Sequence, residues 1–475
     1  MTGSIKKNYI YNTANQLLAV LTPLITVPYL SRALGAEGIG FVSFSQSVVA
    51  YFVLFASLGI NLYATRAIAG KGADIYARSA LFFSVKIFTL STTVISLSVY
   101  AVFALHCSPD YRLIYFILGL NIVAVFLDVS WFFQGIEDFS KIFFSGILIK
   151  VLDIAYIFVF VHQKSDVFVY AFGIALIALL GQAVLWPFLY RHIVIPERGD
   201  IHPFSNVRAI VLLFLPVLAI QVYVVLDKTM LGLLIEGTVE NGYYEQAQKI
   251  AKVALVLVTS LAAVMMPRIV KLFVQGNKKE LTQSMYRSFN FVLALGFPIC
   301  FGLMGVSDNF VPWFLGTEFL PVALLLKLTA LLIIAIAISN VIGIQYLIPT
   351  MRQNQLTISV VCGAVVNFSL NLVLIPFFAS VGAVIASVIA EAAVTGVQAY
   401  FVREEFSFRA IAWSSRNYLI GSVLMLSLLM LENAFLAPSI VATFSMIISG
   451  GCCYVAYLFA VRDELFLGFM KSVLR

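Results

Sequence analysis

Charged side chains at helical spacing lie inside one long apolar run, residues 243–267. Glu245, Gln248, Lys249 and Lys252 recur at positions i, i+3, i+4 and i+7, so one face of a helix carries all four. At about 1.5 Å per residue, this face reaches roughly 13 Å into the run. It can form a cationic wall that attracts a pyrophosphate or acidic sugars, or an internal salt-bridge network. In neither case can it face lipid.

Two further pairs of opposite charges lie inside apolar runs. Asp227 and Lys228 are adjacent, and Lys150 and Asp153 are three residues apart in an earlier run. A charge at the middle of a bilayer costs at least about 2.5 kcal/mol even on lenient scales, so such residues are functional candidates. We expect the lysines to contribute to substrate binding and the aspartates to ion coupling. The alternative is that each pair neutralises itself within the protein.

Two carboxyl groups have no cation beside them on their own helix. Glu391 shares its face only with Thr395 and Gln398, which makes it the first candidate for coupling to H⁺ or Na⁺. The alternative is a protonated glutamic acid that forms a hydrogen bond to a neighbouring helix. Asp128, near the inner end of the run 113–134, is a second candidate for ion coupling.

Polar residues on the first hairpin complete the candidate set. Gln46 corresponds to Gln248 under an internal repeat with a constant offset of 202 residues. Arg32 and Arg66 lie at opposite ends of the hairpin, where they are either candidates for substrate binding or anchors of the topology.

Two lysines lie near the ends of their apolar runs. Lys86 and Lys327 each lie only about six residues into a run, so we expect their ammonium groups to reach the membrane interface. The alternative is a functional role within the membrane.

The composition decides which elements position these residues. Of the 475 residues, 61% are hydrophobic and 11% are charged, less than half of the roughly 25% that is usual in soluble domains. At about 20 residues per span, the length predicts an all-α polytopic membrane protein with about fourteen transmembrane helices. Two of the predicted spans, 356–378 and 380–402, share a turn of only Ala379 and Ser380. A soluble enzyme or a nucleic-acid-binding protein is excluded.

Lysine and arginine residues orient the spans. With a cytoplasmic N-terminus, 21 of the 30 Lys and Arg residues lie inside and three lie outside, which predicts that both termini are cytoplasmic. The repeat predicts two six-helix lobes, residues 1–200 and 201–410, followed by an additional pair of helices in 411–475. This arrangement would place a substrate site between the lobes.

Motifs for catalysis and for cofactors are missing from the sequence. The five cysteines form no C-x-x-C pair, the four histidines lie in predicted loops, and no phosphate-binding G-x-x-x-x-G-K-[ST] loop occurs. We therefore expect a transporter without enzymatic activity, bound metal or cofactor, and without nucleic acid as a partner.

The N-terminal region resembles that of Wzx-type polysaccharide repeat-unit flippases of the MATE/oligosaccharidyl-lipid flippase (MOP) superfamily. The resemblance is dense over about the first 70 residues and continues as topology over the whole chain. It is carried by Asn8-Tyr9, Tyr11-Asn12, Pro23-Leu24-Ile25-Thr26, Pro28-Tyr29-Leu30-Ser31-Arg32, Leu34-Gly35, Gly38, Gly40, Ser43-Phe44, Gly59-Ile60, Tyr63 and Arg66.

The resemblance implies a MATE-like fold, a substrate and a location. Such a protein moves an undecaprenyl-pyrophosphate-linked oligosaccharide from the cytoplasmic to the outer leaflet of the bacterial inner membrane by alternating access. Arg66, at the cytoplasmic entrance, would contact the anionic head group. Membrane lipid, H⁺ or Na⁺, and polysaccharide polymerase and chain-length proteins are the expected partners in O-antigen or capsule synthesis.

Three alternative functions remain open at this point. A MATE-like cation or drug antiporter would need a cavity dominated by carboxylates, whereas the stripe of residues 245–252 is net cationic. A membrane polysaccharide polymerase or glycosyltransferase would carry a large external loop or a D-x-D site, and the sequence has neither. A membrane scaffold would not need so many intramembrane charges.

Overall fold

The chain is helical wherever its regular structure is described. The computed structural model describes the backbone of residues 2–463, 466 and 467, and their side chains except those of 2–17, 19, 20, 215–217, 219, 220, 222, 223, 263 and 264. These described residues contain no β-strand. The predicted all-α class is therefore confirmed.

The chain divides into two compact units between Thr229 and Met230. The helices of the first unit are α1 Thr2–Ser57, α2 Ile60–Gly70, α3 Ile75–His106, α4 Pro109–Leu118, α5 Leu120–Leu127, α6 Ser130–Gly135, α7 Phe139–Phe160, α8 Val167–Ala183 and α9 Trp186–Leu189. Helix α10, Val207–Leu234, begins in the first unit and ends in the second. The two lobes at 1–200 and 201–410 and the additional pair of helices in 411–475 stay a prediction.

The remaining helices belong to the second unit. They are α11 Val239–Thr259, α12 Leu261–Val274, α13 Lys278–Phe314, α14 Pro321–Thr329, α15 Leu331–Ile342, α16 Gln353–Phe401, α17 Phe408–Ser414, α18 Arg416–Phe435 and α19 Ile440–Ala460. A short π-helical segment, Gly343–Leu347, follows α15. Helix α13 packs against α15, α18 and α19 and places Phe289 and Cys300 in the core of this unit.

Ten segments of the described chain are long and apolar enough to cross a membrane. Two of them are of double length. Leu21–Gly70 bends at Gly35 and Gln353–Phe401 bends at Ala379, where the backbone leaves the helical region. The predicted turn at Ala379 is confirmed. The charged helix α11 is not among the ten, and the number fourteen stays a prediction.

Apolar side chains cover the outer surface of the long helices. On α3, Val94, Ile95 and Val99 are each more than half exposed, although a soluble protein rarely exposes such a contiguous patch. Because hydrocarbon accepts these side chains, the exposed surface and the ten apolar segments together establish a multi-pass membrane protein.

The bend in α16 is held by a carboxylate from another helix. Ala379 has a φ of 48°, a region that side chains other than glycine rarely adopt. Glu240, in the first turn of α11, accepts hydrogen bonds from the backbone N–H of Ser380 (3.1 Å) and from its hydroxyl group. These two bonds satisfy polar groups that the bend would otherwise leave without partners.

The two arms of α16 meet directly after this bend. A Cβ atom added to Gly382 would lie 2.4 Å from the backbone oxygen of Leu374. A clash with backbone cannot be relieved by a rotamer change, so the close approach requires glycine at this position.

Gly382→Ala should therefore destabilise the protein by about 1–3 kcal/mol, the usual cost of overpacking. Thermal unfolding of the purified protein in detergent would measure the loss. The matched control is Gly396→Ala in the same arm, where an added Cβ meets nothing within 4 Å. This control should unfold at the same temperature or a higher one, since alanine favours the helix. Equal melting temperatures for both variants would contradict the close approach.

Candidate functional site

The charged stripe lies on α11 and contains an ion pair. Glu245 is buried at 8% exposure, and its Oε1 lies 3.2 Å from Nζ of Lys249, one turn further along the helix. The Lys249 side chain is about one third exposed, at 32%. The stripe therefore has one of its two ammonium groups next to its only carboxylate.

The other two members of the stripe differ in their surroundings. The Gln248 side-chain amide is half-buried and donates a hydrogen bond to the Tyr244 hydroxyl (3.0 Å). Lys252 is exposed. Since Glu245 offsets the charge of Lys249, Lys252 carries the net positive charge of the stripe and is the member most available to an anionic ligand.

A cavity of about 420 Å³ lies within the first unit. Gln46 and Tyr51 of α1, Asn121 of α5 and Gln221 of α10 supply its polar lining, together with apolar side chains such as Leu54. Three amides and a phenol offer neutral donors and acceptors, which is the chemistry that sugar hydroxyl groups need.

A hydroxyl chain orients the phenol at this cavity. The Tyr51 hydroxyl donates to Oγ1 of Thr229 (3.2 Å), and the Thr229 hydroxyl donates to Oγ of Ser47 (3.0 Å). Asp227 is buried at 5% exposure, within electrostatic range of Tyr51. Its neighbour Lys228 is half-buried. The predicted pair Asp227–Lys228 thus lies close to the polar side of the cavity.

Lys150 and Asp153 lie on α7, and both are half-buried. Whether they act on substrate and ion, or only balance each other, stays a prediction.

The side chains of Arg32, on α1, and Arg66, on α2, are exposed. Nη1 of Arg32 donates to the backbone oxygen of Pro28 (2.8 Å). Gln46 is thus the only member of the predicted hairpin set that lines the described cavity of the first unit.

Glu391 is half-buried in the second arm of α16. On the same face, the Thr395 hydroxyl donates to the backbone oxygen of Ala335 (3.1 Å), and the Gln398 amide donates to Oγ of Ser359 (3.2 Å). Thr395 and Gln398 of the predicted polar face therefore contact α15 and the first arm of α16, respectively. A coupling role for Glu391 stays a prediction.

Asp128 interrupts the helical path between α5 and α6. It has an extended backbone (φ −63°, ψ 120°), and its carboxylate accepts hydrogen bonds from Asn61 Nδ2 (2.9 Å) and from the backbone N–H of Ser130 (2.8 Å). These contacts give the carboxylate a structural role at the break between the helices, whether or not it also takes part in ion coupling.

Lys86 supplies the missing donors at the same break, and its expected position at the membrane interface is wrong. It is buried at 6% exposure, and its ammonium group donates to the backbone oxygens of Phe126 and Asp128, the latter at 3.2 Å. It also lies 5.2 Å from the centre of the Trp186 ring. The break in the α5–α6 path leaves carbonyls without helical partners, and this explains why the lysine points inward.

Lys327 differs from Lys86 in its surroundings, although the sequence predicts the same position for both. Its side chain is 34% exposed and pairs with the exposed carboxylate of Asp308 at 2.6 Å.

Two residues that hold a bend or a connection in place were not predicted from the sequence. Glu240 holds the bend of α16, as described above, and Asn309 of α13 holds the connection between α18 and α19. Its Oδ1 accepts hydrogen bonds from the backbone N–H of Ser439 (3.3 Å) and the hydroxyl of Thr443 (2.7 Å). A polar residue near the end of its helix was the available signal for both.

Comparison with known proteins identifies the family. A family model described as "Polysaccharide biosynthesis protein" matches residues 5–273, more than half of the chain. The chain belongs to this polysaccharide biosynthesis family. The resemblance inferred from the N-terminal residues is confirmed.

Two relatives in this family cover most of the chain. A protein of Escherichia coli (strain K12) named "Putative O-antigen transporter" is 26% identical over 420 residues, 84% of this chain and 97% of the relative. A protein of Shigella dysenteriae with the same name is 24% identical over 82% of this chain and 97% of its own.

Solved structures share the fold of this family member. The lipid II flippase MurJ, in an inward closed conformation, superposes with a TM-score of 0.70 at 14% identity and covers 96% of this chain and 99% of its own. A multidrug resistance MATE transporter of the MOP superfamily, in an inward-facing conformation, gives a TM-score of 0.63 at 13% identity over 84% of this chain and 95% of its own. At these identities the likeness concerns the fold, and it confirms the predicted MATE-like class.

The environment of Lys86 predicts that Lys86→Met lowers the free energy of unfolding by about 2 kcal/mol or more, because the Phe126 carbonyl loses its donor and the Asp128 carbonyl keeps only the Trp131 indole N–H. Titration with SDS in mixed micelles would measure it. The matched control, Lys327→Met, removes a lysine from an exposed ion pair and should cost less than about 1 kcal/mol. Equal losses in both variants would contradict the buried role of Lys86.

Proposed function

We propose that the protein is a flippase for lipid-linked oligosaccharides. It moves undecaprenyl-pyrophosphate-linked repeat units from the cytoplasmic to the outer leaflet of a bacterial inner membrane by alternating access, with both termini in the cytoplasm. Membership of the polysaccharide biosynthesis family supports this proposal. The name of the Escherichia coli relative and the fold shared with a lipid II flippase support it further.

The chemistry of the substrate matches three kinds of surface on the protein. A polyprenyl tail needs only apolar surface, a pyrophosphate needs cations, and sugars need neutral hydrogen-bonding groups. We assign the exposed apolar helix faces to the tail and the stripe of α11, above all Lys252 and Lys249, to the pyrophosphate. Gln46 and the other polar groups of the first-unit cavity suit the sugars. Arg66 makes the first contact with the head group.

A single observation carries the proposal: an ammonium group stays exposed on α11, a helix amid apolar membrane segments. Such a charge is costly unless an anion or water meets it. The shared MATE fold also raises a cation or drug antiporter as a second candidate, but a cationic drug would be repelled by Lys252. We propose no chemical step in this cycle, only binding and release.

An ion gradient resets the cycle in this proposal. Glu391 is the first candidate for the coupling carboxyl group, followed by Asp153, Asp227 and Asp128. Glu391 ranks first because it is half-buried in a membrane segment and shares its face with polar side chains only.

Replacing Lys249 and Lys252 together by Ala should lower surface polysaccharide by about tenfold or more, since charge-assisted contacts to the pyrophosphate are lost. Export would be measured in cells that lack the chromosomal gene, with the amount of membrane protein quantified in parallel. The control, Lys271→Ala with Lys279→Ala, removes two exposed lysines of the same unit and should leave export unchanged.

A second variant separates substrate binding from folding. Lys249→Ala leaves the buried Glu245 without this ion pair, which can destabilise the protein by itself. Glu245→Gln with Lys249→Gln removes both charges of the pair and keeps the side chains similar in size. If this neutral variant and Lys252→Ala both export normally, the stripe does not bind the substrate.

Glu391→Gln should make transport independent of the ion gradient. Proteoliposomes with an imposed pH or Na⁺ gradient would report the rate at which a fluorescent lipid-linked oligosaccharide changes leaflet. The wild-type rate should rise with one of the gradients, and the variant should keep the rate measured without a gradient. The control is Glu404→Gln, an exposed glutamate just beyond the same helix. Wild-type gradient dependence in Glu391→Gln would exclude this residue as the coupling site.

A further inference from the structure

A second, larger cavity lies entirely within the second unit, away from the stripe of α11. Its volume is about 770 Å³. Four arginines from four separate segments line it: Arg268 of α12, Arg287 of α13, Arg416 at the start of α18 and Arg462 just beyond α19. We name it the arginine pocket.

Two of these guanidinium groups already have partners. Arg268 pairs with Glu280 at 3.3 Å. Arg416 donates to the backbone oxygen of Trp413 (2.9 Å) and stacks 4.1 Å from the centre of its ring.

The other two guanidinium groups are available to a ligand. Arg287 and Arg462 are exposed, and within the described part of the chain the structure gives their side chains no hydrogen bond and no ion pair. Like charges gathered around one cavity repel each other, so the arrangement favours a bound anion.

One carboxylate lines the same cavity without neutralising it. Asp463 Oδ1 accepts hydrogen bonds from the Tyr418 hydroxyl (3.4 Å) and from the backbone N–H of Phe466 (3.0 Å). It therefore supports the connection after α19. With Arg268 paired to Glu280, three arginines and one aspartate remain, so the lining stays net positive.

A buried hydroxyl group on the wall of the pocket also favours a bound ligand. Ser288, on the wall of the pocket, is 2% exposed, and its Oγ has no hydrogen-bond partner among the described residues. Buried polar side chains almost always have a partner, so an unsatisfied one at a cavity wall calls for a ligand atom or an ordered water.

The rest of the lining and the position of the pocket suggest what the anion is attached to. Leu261, Met265 and Phe291 give the pocket an apolar floor. Arg416 and Arg462 lie at the same end of the membrane helices Arg416–Phe435 and Ile440–Ala460. The pocket is therefore at the level where a bilayer has its phosphates, with hydrocarbon on one side and water on the other.

We propose that the arginine pocket binds the phosphate group of an anionic membrane lipid, such as phosphatidylglycerol, from the leaflet that faces this end of the helices. Arg287 and Arg462 contact the phosphate oxygens, the Ser288 hydroxyl donates to the head group, and the apolar floor receives the start of the acyl chains. This site is separate from the stripe and from the first-unit cavity, and it serves as a resident lipid site rather than as part of the transport path.

The test is lipid binding by Arg287→Gln with Arg462→Gln. Purified, delipidated protein is titrated with phosphatidylglycerol, and bound lipid is counted by native mass spectrometry. The variant should bind the first phosphatidylglycerol about tenfold more weakly than the wild type, since two charge-assisted contacts are lost. The control, Arg208→Gln with Arg409→Gln, removes two exposed arginines outside the pocket and should bind like the wild type.

Three results would overturn the proposal. Equal affinity for phosphatidylglycerol in the pocket variant and the wild type would exclude the site. An equal loss of affinity in the control would show that general surface charge binds the lipid. Inorganic pyrophosphate that displaces the lipid at equimolar concentration would assign the pocket to a free phosphate compound instead.

Ser288→Ala, which keeps all charges, should weaken binding less than the double variant. Because binding is measured without transport, the result stands whether or not the protein proves to be a flippase.

Discussion

A lipid bilayer offers no hydrogen-bond partner to a peptide group, so each span must satisfy its own backbone. Helices meet this requirement along their length but not where they break. In this protein, a polar side chain from another helix serves each of three breaks or connections. Lys86 donates at the break around Asp128, Glu240 accepts at Ser380, and Asn309 holds the connection between α18 and α19. The helical fold and its breaks therefore depend on a small number of buried polar groups.

This requirement divides the charged side chains of the helices and their ends into two classes that composition cannot separate. Lys86 and Glu240 have their hydrogen-bonding capacity directed at backbone, so substituting them should change stability before it changes transport. Lys252, Arg287 and Arg462 are exposed and have no such task within the described chain. Only the second class is available to an anionic ligand.

Features that depend on a local pattern could be predicted from the sequence. Long apolar runs gave the helical class, the Ala379–Ser380 boundary gave the bend in α16, and the spacing of Glu245 and Lys249 gave an ion pair on one helix face. The inward position of Lys86 could not be derived, because it depends on a break in another helix about 40 residues away.

The arginine pocket was beyond sequence reasoning for a related reason. Its four arginines come from positions 268, 287, 416 and 462, each of which satisfies the positive-inside rule by itself. Only the packing of α13 against α18 and α19 brings these segments to one cavity. Hydropathy and charge bias record where a residue lies relative to the membrane, and not which residues it meets.

The ion pair on α11 bears on how a flippase could release its substrate. A transporter must bind its cargo strongly enough to select it and weakly enough to let it go. In the proposed cycle, a pyrophosphate that approaches Lys249 competes with Glu245, which is already 3.2 Å away. Binding then exchanges one anionic partner for another, so the net gain is smaller than the gain from an unpaired lysine. Lys252 would supply the attraction, and the Glu245–Lys249 pair would keep that attraction reversible.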